Sequence, residues 1–191
     1  MAILVFQGAE ELDFVGFLEA LSIANRVEGR RHFETTLVGT ERGLVTCGGG
    51  MKVMPDLILS ELGEQDLIFV PGGGASRGTG VDLVMNDEKV LDRLRKSYEK
   101  GNRVWSVCTG ALVLGKAGLL RGKQATTHHR HFSDIKSAGA RVTRQRTVAA
   151  GRVTTGGGIS SSLDVGLALV EEELGKEVRK RVEIVMEYPP V

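Results

Sequence analysis

The sequence predicts an α/β fold, a doubly wound and mostly parallel sheet with helices on both faces. Three observations point to it. Short apolar runs, AILVF at 2–6, LIFV at 67–70 and RVWSV at 103–107, have the composition of strands buried on both sides. Longer segments carry apolar residues at helical spacing. The two kinds alternate along the chain, as strand–helix–strand units of a parallel sheet do.

Taken in order, Ala2–Phe6 is the first strand, and a helix follows from Asp13 to about Val27. Phe14, Phe17, Leu18, Leu21 and Ala24 recur there at helical spacing, with Asp13 in a capping position before them. Phe33–Val38 is strand-like, and Gly39 to Pro55 is a glycine-rich meander expected to hold a small hairpin. Leu67–Val70 is a strand that stops at PGGG. Asn86–Lys100 reads as an amphipathic helix, with Val90, Leu91, Leu94 and Tyr98 on one face and Gly101 as its stop. Arg103–Val107 is the next strand and residues 109–120 the helix after it. Val142 to Thr155 reads as two or three short strands turning at Gly151. Two helices close the chain, Ser161–Leu174 and Lys176–Glu187, separated by Gly175 and followed by Pro189-Pro190. No interior linker, repeat or low-complexity segment interrupts the pattern, so residues 1–191 are expected to form one domain.

Composition narrows the function classes. Lys+Arg at 25 against Asp+Glu at 24 leaves a net charge of +1, so no global field favours nucleic acid or an anionic membrane. The expected partner is a small molecule or a protein. The start, MAILVFQGAEELDF, has too short an apolar run and the wrong flanks for a signal peptide, and no run approaches the roughly 20 residues of a membrane span. Two cysteines, Cys47 and Cys108, without a CxxC spacing fit free thiols in a reducing cytoplasm.

In a doubly wound sheet, sites form beyond the carboxyl ends of the strands. Three such ends carry chemistry here: Gln7–Asp13, Pro71–Gly74 and Cys108-Thr109-Gly110. A cysteine on the turn between strand and helix projects clear of the sheet at a helix N-terminus, where the dipole and free N–H groups favour thiolate; a lowered Cys108 pKa is therefore expected. The glycines at 72–74, chiefly Gly73 and Gly74, offer N–H groups to an anion or oxyanion. Asp13 would gain a raised pKa from a nearby thiolate and hold a usable proton, the pair titrating as a unit. Glu10, Glu11 and Glu19 are alternative acids, and Thr109 offers a hydroxyl. His128, His129 and His131 form a tract without a Cys or carboxylate at ligand spacing, so no metal is expected, and His128 is placed at the substrate. Cys47 is read as structural or incidental. No phosphate or dinucleotide fingerprint follows a strand.

The stretches ELDFVGFLEAL, DLIFVPGGG, VWSVCTGALVLGKAGLLRGKQATTHH and TTGGGISSSLDVGLALVEEELG resemble the ThiJ/PfpI family of the class I glutamine amidotransferase-like superfamily, essentially end to end. Within it the pattern is most similar to isonitrile hydratases and to sensor domains of AraC-type regulators. The resemblance implies a flavodoxin-like fold, a homodimer, and catalysis by an acid, a cysteine and the following threonine, which map onto Asp13, Cys108 and Thr109. It implies hydration of an isonitrile to an N-substituted formamide without a cofactor, with Cys108 either a covalent nucleophile or an assistant to water activated by Asp13. The alternatives are a glyoxalase- or deglycase-like activity on α-oxoaldehydes and a stand-alone thiol sensor or interaction protein. Protease-like members carry His after the cysteine. Thr109 stands there instead and removes the base of a peptidase dyad. Phe17 and His129 replace residues usual in the subfamily.

Overall fold

The computed structural model describes residues 1–188; the Pro189-Pro190 pair read behind the last helix lies outside them. Seven strands form one sheet: β1 (Ala2–Val5), β2 (Thr36–Gly39), β5 (Leu57–Ile58), β6 (Leu67–Val70), β7 (Arg103–Ser106), β10 (Thr147–Ala150) and β11 (Val153–Gly156). Their order is β10-β11-β7-β6-β1-β2-β5. All neighbours run parallel except β10 against β11. The fold is flavodoxin-like, as expected.

The apolar runs occupy the middle of the sheet for a physical reason. Every residue of β1 and β6 is fully buried, which continuous apolar character allows and alternation would not. Helices α1 (Glu11–Glu28), α6 (Ser161–Leu174) and α7 (Lys176–Val185) pack together on one face, and α2 (Gly80–Met85), α3 (Glu88–Glu99) and α4 (Gly110–Lys116) on the other. On the first face the Phe17 ring of α1 stacks on Phe69 of β6, with centroids 4.0 Å apart. Truncating either ring to alanine removes a fully buried aromatic, a loss of about 3–5 kcal/mol.

Small elements account for most differences from the sequence reading. The expected hairpin is β3 (Val45–Thr46) with β4 (Lys52–Val53). The second strand begins at Thr36 rather than Phe33, because Phe33 instead packs into the core as its backbone N–H and carbonyl bind the Asn25 side chain. The expected helix at 86–100 is α3, with Asp87 capping it through Lys89 N–H at 2.9 Å, and the short helix α2 precedes it as an element the sequence reading did not place. Residues 109–120 hold helix only to Lys116. Beyond it come β8 (Gln124–Ala125), a 3-10 turn at His129–His131, α5 (Phe132–Ser137) and β9 (Arg141–Val142), with β8 and β9 paired in parallel. Among the described residues, no helix is long and apolar enough to cross a membrane.

Candidate active site

The four adjacent parallel strands β11, β7, β6 and β1 end side by side, and the loops beyond them are stitched together. The Glu10 N–H donates to Gly72 O at 2.9 Å, and Ala9 bridges Gly73. The Cys108 N–H donates to Gly157 O at 2.7 Å and to Gly156 O at 3.1 Å. The Thr127 hydroxyl holds the Cys108 carbonyl at 2.7 Å. Asp13, Gly72, Cys108 and Thr109 are thereby brought to one place.

Cys108 has φ 54°, a left-handed backbone in a residue with a side chain. Such a conformation costs of order 1–3 kcal/mol and is the strained turn that lifts a nucleophile off a strand end. Gly110 makes the turn possible: a Cβ there would lie 2.3 Å from Val70 O and 2.7 Å from Pro71 O.

The expected lowering of the Cys108 pKa is overturned. The thiol is pushed up to about 11, first by burial of the side chain and then by the charge of Asp13, against smaller help from the Ile159 and Thr109 N–H groups and the Thr109 hydroxyl. Desolvation of a residue only 5% exposed outweighs the local field of the helix start. The neutral thiol is the resting form at pH 7.

Asp13 does not cap its helix. Glu10 occupies that position without a side-chain bond, and Asp13 lies in the first turn with its side chain turned inward, fully buried. Oδ2 accepts the Gly72 N–H at 2.7 Å, while Oδ1 has no hydrogen-bond partner. Its pKa is raised to about 8, chiefly by burial and further by Glu10, against the Gly72 N–H and the Cys108 thiol. The sequence reading expected the raised value from thiolate charge, whereas desolvation is the main cause. A neutral acid with one unbonded oxygen stands beside a neutral thiol.

The roles expected of the glycines also shift. The Gly73 N–H is occupied by Thr109 Oγ1 at 2.9 Å, and the Thr109 hydroxyl donates back to Gly73 O at 2.8 Å. Neither is a free donor in this arrangement. Thr109 clamps the PGGG loop. Gly74 is drawn away toward α2, its carbonyl accepting the Val81 N–H at 2.8 Å. The residue at the centre is Gly72, where a Cβ would meet Asp13 Oδ2 and Thr109 Oγ1 at 2.7 Å and Cys108 Cβ at 2.8 Å. The PGGG motif located this loop, but which glycine faces the acid depends on its path.

His128 is half-buried against Gly158, beside Ile159; a Cβ on Gly158 would lie 3.0 Å from His128 Cδ2. Burial and the neighbouring His129, His131 and Arg130 hold its pKa below the ordinary histidine value, so the ring is neutral at pH 7. His129 is exposed and His131 Nδ1 lies 2.7 Å from Asp134, and no metal-binding cluster occurs among the described residues. Of the alternative acids, Glu11 ties the hairpin to α1 through the Gly49 N–H at 2.7 Å, and Glu19 pairs with Arg26 at the surface. Glu10 remains near the site as a charge acting on Asp13. Cys47 is buried in the hairpin, and burial together with Glu11 and Glu10 raises its pKa.

A family model described as the DJ-1/PfpI family matches residues 1–172. An isonitrile hydratase of Pseudomonas putida is 35% identical over 98% of this chain and 77% of that protein. A deglycase of Thermococcus kodakarensis is 32% identical over 64% of this chain and 72% of its own length. Protein DJ-1alpha of Drosophila melanogaster is 29% identical over 94% of this chain and 80% of its own. A solved ThiJ/PfpI family protein from Pseudomonas syringae aligns over all of this chain and 75% of its own, with a TM-score of 0.89 at 26% identity. With strand order, elbow cysteine and buried acid on the same frame as a family match over most of the sequence, the chain belongs to the DJ-1/PfpI family.

Proposed function

We propose that the protein hydrates an isonitrile, R–NC, to the N-substituted formamide. The observation that carries this reading is the neutral Asp13 carboxyl, buried beside Cys108 with Oδ1 unbonded. The terminal carbon of an isonitrile must gain a proton and a nucleophile, and the site holds one of each. Asp13 gives its proton to that carbon and takes the proton of the Cys108 thiol as sulfur attacks, so R–N=CH–S–Cys108 forms with Asp13 again neutral. Sulfur bears its charge only within this concerted step, which suits a thiol whose resting pKa is high. Water then adds to the thioimidate, the nitrogen is protonated, and collapse of the adduct releases R–NH–CHO and the thiol. The Ile159 and Thr109 N–H groups stabilise charge on sulfur as it leaves. Atoms balance with water alone, so the chemistry calls for no cofactor. A homodimer and a cytoplasmic setting complete this reading. Leu12 and Val15 on α1 and Ile159 beside the site are exposed apolar residues available to a second copy.

The test is conversion of cyclohexyl isocyanide to N-cyclohexylformamide by the purified protein, followed by mass spectrometry. Cys108→Ala should abolish it, and a water-only route through Asp13 would survive that change. The likeness to a deglycase supports a second reading, attack of the same thiol on an α-oxoaldehyde. Consumption of methylglyoxal without isonitrile turnover would establish that reading in place of the first.

A further inference from the structure

The PGGG loop flanks Cys108 from the β6 side, and the loop between β11 and α6, residues 157–160, flanks it from the other. That second loop meets the cysteine at two points. At its start the Gly156 and Gly157 carbonyls accept the Cys108 N–H and so hold the left-handed turn, and further on the Ile159 N–H supports negative charge on the sulfur. Three consecutive glycines, 156–158, do not fix such a path by themselves, because a backbone without Cβ atoms has many conformations to choose from. The bracing comes from outside the loop. Arg146, one residue before β10, holds it near both ends: its carbonyl accepts the Gly157 N–H at 2.9 Å, and its Nη2 donates to Ser160 Oγ at 3.3 Å. The guanidinium is anchored in turn. Its Nε and Nη2 donate at 3.0 and 2.6 Å to Oδ2 of Asp164, a buried residue in the first turn of α6, and the Tyr188 hydroxyl donates to the same oxygen at 3.1 Å. Tyr188 reaches that oxygen because Glu187 takes φ 49° after α7 and the Tyr188 N–H bonds back to Glu183 O at 3.0 Å, a helix-ending turn usually made by glycine. Cys108 and Glu187 are the two non-glycine residues with positive φ among the described residues. One forms the elbow, and the other delivers a side chain to the group that braces it.

We infer that Arg146, Asp164 and Tyr188 are positioning residues for Cys108, fixing loop 157–160 so that its carbonyls hold the elbow and the Ile159 N–H is aimed at the sulfur. The three act through the loop and not on the substrate. Among charged groups it is Asp13 that acts on the sulfur, so a change in the clamp reaches Cys108 by moving the loop rather than by its own field. An ion pair with one partner buried adds little net stability, since desolvation offsets much of the attraction. Its worth here is the place it gives the loop.

The inference rests on the proposed function only in taking Cys108 as the reacting group, so two arms of the test fail separately. In the first, the full chain is alkylated with iodoacetamide from pH 7 to pH 11, and the Cys108 peptide is quantified by mass spectrometry beside a melting curve. Arg146→Gln should slow Cys108 about tenfold at pH 9 and move its profile about one unit to higher pH, the effect of losing a hydrogen bond to charged sulfur. Tyr188→Phe removes one oxygen and should slow it about threefold, which keeps the test open should the first variant fail to fold. Arg179→Gln is the control. It breaks the ion pairs of Arg179 with Glu171 and Glu183, toward the other end of α6, and should lower the melting temperature with the Cys108 profile unmoved. Rates within about twofold of wild type in both clamp variants, a faster rate, or an equal loss in Arg179→Gln would overturn the assignment. In the second arm, kcat for cyclohexyl isocyanide should fall with the alkylation rate in both clamp variants while KM stays within about threefold. A raised KM with kcat intact would overturn the assignment. Turnover of no isocyanide by wild type would overturn the hydration reading, while the alkylation arm still decides the clamp.

Discussion

Asp13→Asn tests the buried acid directly, because the substitution keeps an acceptor for the Gly72 N–H and removes the proton that titrates. In the unfolded chain the carboxyl ionises at its ordinary value of 3.8, and in the folded protein at about 8. Between those values the folded state binds one more proton than the unfolded state, so each rising pH unit lowers wild-type stability by about 1.4 kcal/mol. The penalty is absent below the lower value, is complete above the upper one, and sums to an upper bound of roughly 6 kcal/mol. The amide of the variant carries no such penalty at any pH. Chemical denaturation of both proteins from pH 5 to pH 9 should show the variant gaining on wild type with increasing pH and levelling off above pH 8, since titrations not coupled to Asp13 cancel in the difference. Turnover should nevertheless fall by about 10²-fold or more, the scale on which a general acid is missed. A stability difference that stays constant with pH, or moves the other way, would refute a protonated Asp13.

Further outcomes follow from the same geometry. The alkylation rate of Cys108 by iodoacetamide should still be climbing above pH 9, and in Asp13→Asn its profile should move to lower pH because the adjacent carboxylate no longer opposes the thiolate. Peptide-resolved labelling reads both, and a plateau near pH 7 would restore the low-pKa thiolate expected from sequence. Gly72→Ala should cost at least 10²-fold in turnover, because its Cβ would lie within 2.8 Å of the acid, the threonine and the cysteine. Steady-state kinetics beside a melting curve would separate that from unfolding, and near-normal activity would mean the site can open. Thr109→Val keeps the shape and removes both hydrogen bonds to Gly73. A melting temperature lowered by a few degrees is expected, and an unchanged one would show that the clamp is not needed. Sedimentation should give twice the chain mass of 20.5 kDa, falling to the monomer in Leu12→Glu/Val15→Glu, whereas a wild-type monomer would exclude the dimer.

How much of this was legible in the sequence depends on the range over which each property is determined. The central strands were readable because burial on both faces imposes an apolar residue at every position, and Ala2–Val5 and Leu67–Val70 satisfy that without help from the rest of the chain. Edge strand Leu57–Ile58 and helix Phe132–Ser137 were not, since two residues of pairing and six of helix carry no period and exist through their tertiary contacts. The site divides in the same way. The turn at Cys108 was visible, as strand, cysteine and small residues are consecutive. The sign of its pKa shift was not, because the helix field acts within one turn whereas desolvation sums over every group packed around the sulfur.

The two reversed expectations, a thiol that is not a thiolate and an acid that is not a cap, lead to one chemical consequence. A preformed thiolate beside an ionised Asp13 would bring two negative charges into a buried volume, and like-charge repulsion would drive a proton back onto one of them. The protein instead keeps the pair neutral by burial, with the single polar anchor, the Gly72 N–H, on the oxygen opposite the unbonded one. A neutral pair is suited to a substrate whose carbon is both the proton acceptor and the electrophile, because proton delivery and sulfur attack then proceed without a separated charge at rest. It is less suited to cleaving an amide, where a permanent thiolate and an adjacent imidazole do the work and where Thr109 offers neither. Activity should accordingly hold from mildly acidic pH to about pH 8 and decline as Asp13 ionises, the opposite limb from an enzyme that waits for its cysteine to lose a proton.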